Sequence, residues 1–183
     1  MSLKYAILGF LALEPVSGYT LRQRFEGSVS SFWSVTQSQI YRELKALESQ
    51  NLVRFELIPR AGKPSRKVYH LTNSGRKELS RWLQEPVEPQ RIRHPLLLKL
   101  AFSDYEDTES IVRLLEAYLL DLKKIENGYQ ERKHANHIFG LAQSPQQALL
   151  WRLILENGLS WVKAESGWAR AALGKFQKNI KEK

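Results

Sequence analysis

The sequence contains no cysteine. Disulfides, thiolate metal sites and cysteine nucleophiles are therefore excluded, and the usage suits a chain kept in the reducing cytoplasm. Histidine is scarce as well: there are 4, and His134 and His137 are the only close pair. Two ligands are too few to hold a metal without help from elsewhere. There is no glycine-rich phosphate loop and no nucleophile–base constellation, so no metal, no cofactor and no enzyme is expected. Long apolar runs are missing too. The opening MSLKYAILGFLALEP is apolar but too short to span a bilayer, and it has neither the charged leader nor the small-residue cleavage site of a signal peptide. It reads as a buried first helix, with no membrane partner.

Turning to what is present, the 183 residues are 43% hydrophobic, enough to bury a core, and carry a formal net charge of +9. Such an excess favours polyanions, because Lys and Arg release condensed counterions when they neutralise phosphates. The charge is not confined to one half: residues 1–90 hold 13 basic and 8 acidic residues, and residues 91–183 hold 15 and 11. Local clustering must therefore decide where an anion would bind.

Along the chain, residues 3–13 predict a helix ended by Glu14-Pro15. Ser17-Gly18-Tyr19-Thr20 reads as a turn leading into a short helix with Leu21 and Phe25 inward and Gly27 as its stop. Thr36-Gln37-Ser38-Gln39 matches a capping box, so a third helix starts here. Its Ile40, Leu44 and Leu47 form a core stripe, while Ser38, Tyr41, Arg42 and Lys45 share another face. The period then changes to two at Val53, Phe55 and Leu57, and a second strand, residues 67–71, follows the loop 59–66. A helix capped by Thr72 buries Leu79, Trp82 and Leu83. Pro86, Pro89 and Pro95 mark a linker. The expected layout is thus a domain at residues 1–85, a linker at 86–95 and an all-α domain at 96–183.

That second part predicts helices over 96–102, about 108–134 and about 145–173, with Ser144 as a cap and residues 175–183 as a frayed basic tail. Ile111, Leu115, Tyr118, Leu122, Ile125 and Tyr129 step by four and three, a heptad seam. Trp151, Ile154, Gly158, Trp161, Glu165, Trp168 and Ala172 step likewise. From these seams Leu115, Leu122, Ile125, Trp151, Ile154, Trp161 and Trp168 are candidate dimer contacts. The tryptophan stripe is open to a second reading, as core within one chain.

The third helix has the dimensions of a B-DNA major groove and carries at its start residues that can read base edges or hold phosphates. The hairpin beside it concentrates Arg60, Lys63, Arg66 and Lys67 at its tip, suited to phosphates or a narrow minor groove. The candidate DNA-binding set is Tyr19, Arg22, Thr36, Gln37, Ser38, Tyr41, Arg42, Lys45, Arg60, Lys63, Ser65, Arg66 and Lys67. These segments, LKYAILGFLA, SGYTL, QIYRELKALESQNLV, GKPSRKVYHLT and NSGRKEL, resemble the PadR-type transcriptional regulators, in the branch with a virulence-activator-type C-terminal domain. The resemblance spans essentially the whole chain. It implies a mainly α protein: an α+β winged helix-turn-helix followed by an all-α dimerisation domain. It also implies a third helix in the major groove, with Tyr19, Tyr41 and the wing cations among the contacts. This chain has Tyr41-Arg42 where the family usually has a tyrosine–proline pair.

The expected partners are double-stranded DNA, a second copy of the chain, and a small hydrophobic effector. Family members are dimers, commonly repressors, and some answer to phenolic acids or hydrophobic drugs. Dimerisation follows independently from physics, since two half-sites about 34–36 Å apart bind far more tightly than one winged domain. Two other classes remain open at this point: a winged-helix module that binds RNA or protein, and a ligand sensor without strong DNA affinity.

Overall fold

The computed structural model describes residues 2–27, 35–89, 93–105, 107–134 and 142–181. The chain divides into two compact units, one built on residues 1–87 and the other on residues 88–136 and 144–183.

The first unit runs α1 (Ser2–Leu13), β1 (Val16–Ser17), α2 (Gly18–Gly27), α3 (Gln37–Ser49), β2 (Val53–Arg60), β3 (Lys63–Leu71) and α4 (Asn73–Leu83). Its core joins Ile7, Leu8 and Leu11 of α1 to Leu21 and Phe25 of α2, Ile40, Leu44 and Leu47 of α3, Val53, Tyr69 and Leu79. Each such side chain contributes about 1.5–3 kcal/mol relative to exposure. Surface ion pairs add only about 0–1 kcal/mol each, so this cluster dominates the fold. Phe10 meets Phe25 edge-on at 5.0 Å, and Tyr5 stacks on Trp82 at 4.5 Å. Beside that stack Glu78 accepts from Lys4 and Tyr5, which ties α1 to α4.

Three expectations are corrected here. Ser17, read as the first residue of a turn, instead forms with Val16 a strand that pairs antiparallel with β3, Val16 opposite Tyr69 and Ser17 opposite Val68. Two residues are too few to display a period of two, so the sequence carries no signal for it. The sheet therefore has three strands, in the order β1-β3-β2. The hairpin is also longer than its loop suggested, because pairing continues to Arg60 opposite Lys63 and leaves only Ala61-Gly62 as the turn. Gly62 has φ +67, which glycine adopts without a steric penalty. Lastly, Leu83 points outward, 67% exposed, while Leu79 and Trp82 face the core.

The end of α3 is built for a sharp exit. Asn51 takes φ 56, its N–H returns to the carbonyl of Glu48, and Leu52 N–H returns to Leu47. That is a Schellman closure with asparagine in the left-handed position, and it sends the chain directly into β2.

In the second unit α5 (Pro95–Ala101) and a short 3₁₀ turn lead to α6 (Thr108–His134) and α7 (Pro145–Lys181). Helices α6 and α7 run antiparallel: Leu115 packs toward Ala172, Leu173 and Phe176, and Tyr129 toward Gly158. Helix α7 continues to Lys181, eight residues past the expected end, so the basic stretch from Lys175 to Lys181 is helical. The seam on α7 is displaced as well. Leu155, Gly158, Val162, Ser166 and Ala169 are its buried residues, while Ile154, Trp161 and Trp168 are exposed. On α6, Ile111, Leu115, Leu122 and Tyr129 are buried as the heptad implies, but Ile125 is exposed.

Glu165, which interrupts the expected seam, sits in a polar cluster. His94 caps α5, its Nδ1 accepting from Leu97 N–H at 3.3 Å. An accepting Nδ1 leaves the proton on Nε2, which donates to Glu165 Oε1 at 2.7 Å. The Tyr118 hydroxyl donates to the same oxygen at 3.0 Å. Burial, followed by that hydrogen bond to a carboxylate, pushes the Tyr118 phenol up to about 12.

Candidate nucleic-acid interface

Helix α3 begins with the capping box that its sequence announces. Thr36 Oγ1 accepts from Gln39 N–H at 3.3 Å, and Gln39 Oε1 accepts from Thr36 N–H at 2.8 Å. Both groups that Thr36 could offer a ligand are thereby engaged in the cap, so it is a positioning residue for the helix start. Beyond it, Gln37, Ser38, Tyr41, Arg42 and Lys45 are all exposed, opposite the buried Ile40, Leu44 and Leu47. An amide, a hydroxyl, a phenol, a guanidinium and an ammonium thus line one exposed face of a helix.

Helix α2 braces that face from the side. Ser17 Oγ caps α2 by accepting from Thr20 N–H at 3.2 Å. The ring of Tyr41 lies against Gly18, where an added Cβ would meet the ring at 2.7 Å, so only glycine lets α3 approach this closely. Arg22 is held by Glu26 at 2.8 Å and donates to Gln37 Oε1 at 2.9 Å. The Glu26 carboxylate, through its hydrogen bond and its charge, raises the Arg22 guanidinium above its ordinary value. Tyr19 is 57% exposed, and its hydroxyl accepts from Gln23 Nε2 at 3.3 Å.

The wing is less free than its charge suggests. Arg66 Nη2 donates to Ser17 Oγ at 3.0 Å and to Thr20 Oγ1 at 2.8 Å, which leaves Nε and Nη1 for other acceptors. Lys67 Nζ lies 3.8 Å from the centre of the Phe55 ring, a cation–π contact. Expected at the hairpin tip, both sit along the ladder, Arg66 opposite Ile58 and Lys67 opposite Leu57, and fasten it to α2 and to the sheet. Ser65 is exposed. The side chains of Arg60 and Lys63 lie outside the described residues.

Together Ser17, Gly18, Tyr19, Thr20, Gln23, Tyr41, Ser65, Arg66, Lys67 and Tyr69 enclose a cleft of about 710 Å³. Two cations and several hydroxyls line it. Burial, then the nearby Glu48 carboxylate, raise the Tyr69 phenol above its ordinary value. The sequence alone does not single out Ser17, Thr20 or Glu26. The Ser17–Thr20 spacing of a helix cap is the one available hint, and nothing in it announces the arginine that both hydroxyls receive.

Of the candidate dimer contacts, Leu115 and Leu122 are fully buried between the helices of their own unit, so no partner can reach them. They are corrected to core residues, because α7 covers the α6 heptad from within the chain. Trp151 is half-buried. Ile125, Ile154, Trp161 and Trp168 remain exposed.

Two known families match most of the chain. The one described as "Transcriptional regulator PadR-like family" matches residues 7–81, and the one described as "Virulence activator alpha C-term" matches residues 92–177. A probable transcriptional regulator of Mycobacterium tuberculosis is 45% identical over 91 residues, 50% of this chain and 48% of the relative. The negative transcriptional regulator PadR of Bacillus subtilis is 39% identical over 102 residues, 55% of this chain and 56% of the relative. The matched stretches thus span about half the length of these two relatives. Among solved structures, Bacillus subtilis PadR in complex with operator DNA is similar at a TM-score of 0.83 and 30% identity, covering 96% of this chain and 99% of that one. The same protein with p-coumaric acid gives a TM-score of 0.77 at 30% identity, covering 97% and 99%.

Proposed function

The chain belongs to the PadR-like family of transcriptional regulators, and from that premise we propose that it is a homodimeric repressor binding a two-fold symmetric operator in the cytoplasm. The observation that carries the proposal is the exposed polar face of α3, with Gln37, Ser38, Tyr41, Arg42 and Lys45 at the surface beside a wing that Arg66 fastens to α2. A helix so presented fits the major groove. Arg42, Lys45 and the wing cations then take phosphates, while Gln37 and Ser38 face base edges. In this reading residues 1–85 bind DNA, 86–95 link, and 96–183 dimerise.

The exposed Ile154, Trp161 and Trp168 of α7, with Ile125 of α6, supply the apolar surface that a second copy would cover. The Bacillus subtilis structure holds p-coumaric acid; the corresponding effector here is a small phenolic or hydrophobic acid that releases the dimer from its operator.

Selection from random duplex DNA followed by footprinting tests the proposal. The expected site has two half-sites about 34–36 Å apart. Lys45→Ala should reduce the magnitude of the slope of log affinity against log salt by about 0.9 for each phosphate that the ammonium neutralises. Retained binding to single-stranded RNA without duplex binding would move the protein to the RNA-binding class. Tryptophan emission that does not respond to any phenolic or hydrophobic acid would remove the effector.

A further inference from the structure

Gln37 is held in one orientation by a partner outside its own helix, and that orientation limits the bases it can read. The Arg22 guanidinium consists of donors alone, so the atom of Gln37 facing Arg22 Nη1 at 2.9 Å must be the carbonyl oxygen. Glu26 in turn holds Arg22 Nε at 2.8 Å, one helical turn along α2. The carbonyl of Gln37 is therefore engaged by a charged donor that is itself tethered, and the amide nitrogen is turned away from it. No acceptor among the described residues takes that nitrogen.

A glutamine reads adenine with both ends of its amide: nitrogen to N7, and oxygen from N6. Guanine offers only acceptors, N7 and O6, and thymine offers O4. We propose that Arg22 is a positioning residue that sets the base specificity of α3: it holds the Gln37 carbonyl toward α2 and turns the amide nitrogen outward, so that Gln37 favours the acceptor edge of guanine or thymine over adenine, which is then left with a bond at N7 alone. The inference rests on α3 being the recognition helix. It moves Arg22 from a candidate direct DNA contact to a part of the base-reading apparatus, and it gives Glu26 the task of keeping the guanidinium in place.

The experiment begins with wild-type protein and a selected operator. Gln37→Ala identifies the base step that Gln37 reads, as the one whose preference disappears. Duplexes carrying each of the four base pairs at that step are then titrated against wild type, Arg22→Ala and Arg22→Lys. Arg22 lies at the surface, and circular dichroism checks that the variants fold.

Wild type should favour guanine or thymine over adenine by about tenfold. Arg22→Ala should free the carbonyl and bring adenine to within about threefold of the best base. Arg22→Lys, still able to donate to the carbonyl, should keep the wild-type order. The guanine and thymine duplexes decide which acceptor edge is read. If Arg22 served only to hold a phosphate, its removal would weaken all four duplexes equally and leave their order unchanged. An unchanged order in Arg22→Ala, a wild-type preference for adenine, or a Gln37→Ala variant with no altered step overturns the inference while operator binding stands. Wild type that binds no duplex at all overturns the reading of α3 itself, and this inference with it.

Discussion

Trp161→Ala should weaken self-association of the chain far more than it weakens folding. The indole is 43% exposed on a single chain; since a tryptophan offers at most about 250 Å², roughly 110 Å² remains uncovered. A two-fold interface would bury that area twice, and at about 25 cal/mol per Å² the two copies together contribute about 5 kcal/mol. Ordering of side chains and incomplete pairing of polar groups reduce such figures, so about half, 2–3 kcal/mol, should survive as affinity. The dimer dissociation constant should therefore rise roughly 30- to 150-fold. Sedimentation velocity over a concentration series measures it directly. The emission maximum of the wild type should also move to shorter wavelength as the dimer forms, and that movement should shrink in the variant. Leu155→Ala provides the contrast: this side chain is buried within its own unit, so its loss should lower the melting temperature of the chain. Wild type that stays monomeric at every concentration, or a Trp161→Ala variant with an unchanged dissociation constant, would refute the argument from exposed area.

Two further outcomes follow from contacts within the units. In Gly158→Ala the new Cβ would lie 2.4 Å from Tyr129 Cζ, so α6 and α7 must part or the ring must move, at a cost of about 1–3 kcal/mol; a urea midpoint equal to or above that of wild type would contradict it, especially as alanine is the better helix former. Glu78 is held well below its ordinary value of 4.5, at about 2, first by the hydrogen bond from Lys4 and next by that from Arg81. A depressed carboxyl stabilises the fold fully above its unfolded value and loses that contribution as pH falls toward its folded one. Melting temperature should accordingly fall more steeply between about pH 4.5 and 2 in wild type than in Glu78→Gln, and parallel curves would show that the Lys4–Glu78–Arg81 contacts do not matter to stability.

What was legible in the sequence was periodicity and caps. The stripe Ile40, Leu44 and Leu47, the capping box at Thr36 and the span of α6 all follow from patterns that repeat or from hydroxyls at fixed distance from a helix start. Composition identified the wing as basic. It said nothing of where each cation would point, because Arg66 and Lys67 are neighbours in sequence yet find different partners, two hydroxyls 46 and 49 residues away and an aromatic ring on the adjoining strand. The same limit applies to Arg22 and Gln37, 15 residues apart and brought together by the packing of α2 on α3. Long-range polar contacts of this kind have no period, so each residue reads singly as a solvated surface group.

Helix α7 presents a different difficulty, and it bears on assembly. Its apolar residues are too many for one face, and the expected seam drew from two. Toward α6 it turns Leu155, Gly158, Val162, Ser166 and Ala169, three of them small. Small residues let the two helices approach closely, and Tyr129 takes the notch at Gly158. The large Ile154, Trp161 and Trp168 occupy the neighbouring face and stay exposed, the reverse of what a helix serving a single core would show. An amphipathic helix turns its bulk toward whatever covers it. If the chain pairs as proposed, a second copy brought by two-fold symmetry to the same face would cover the part of that bulk that α7's own unit leaves exposed.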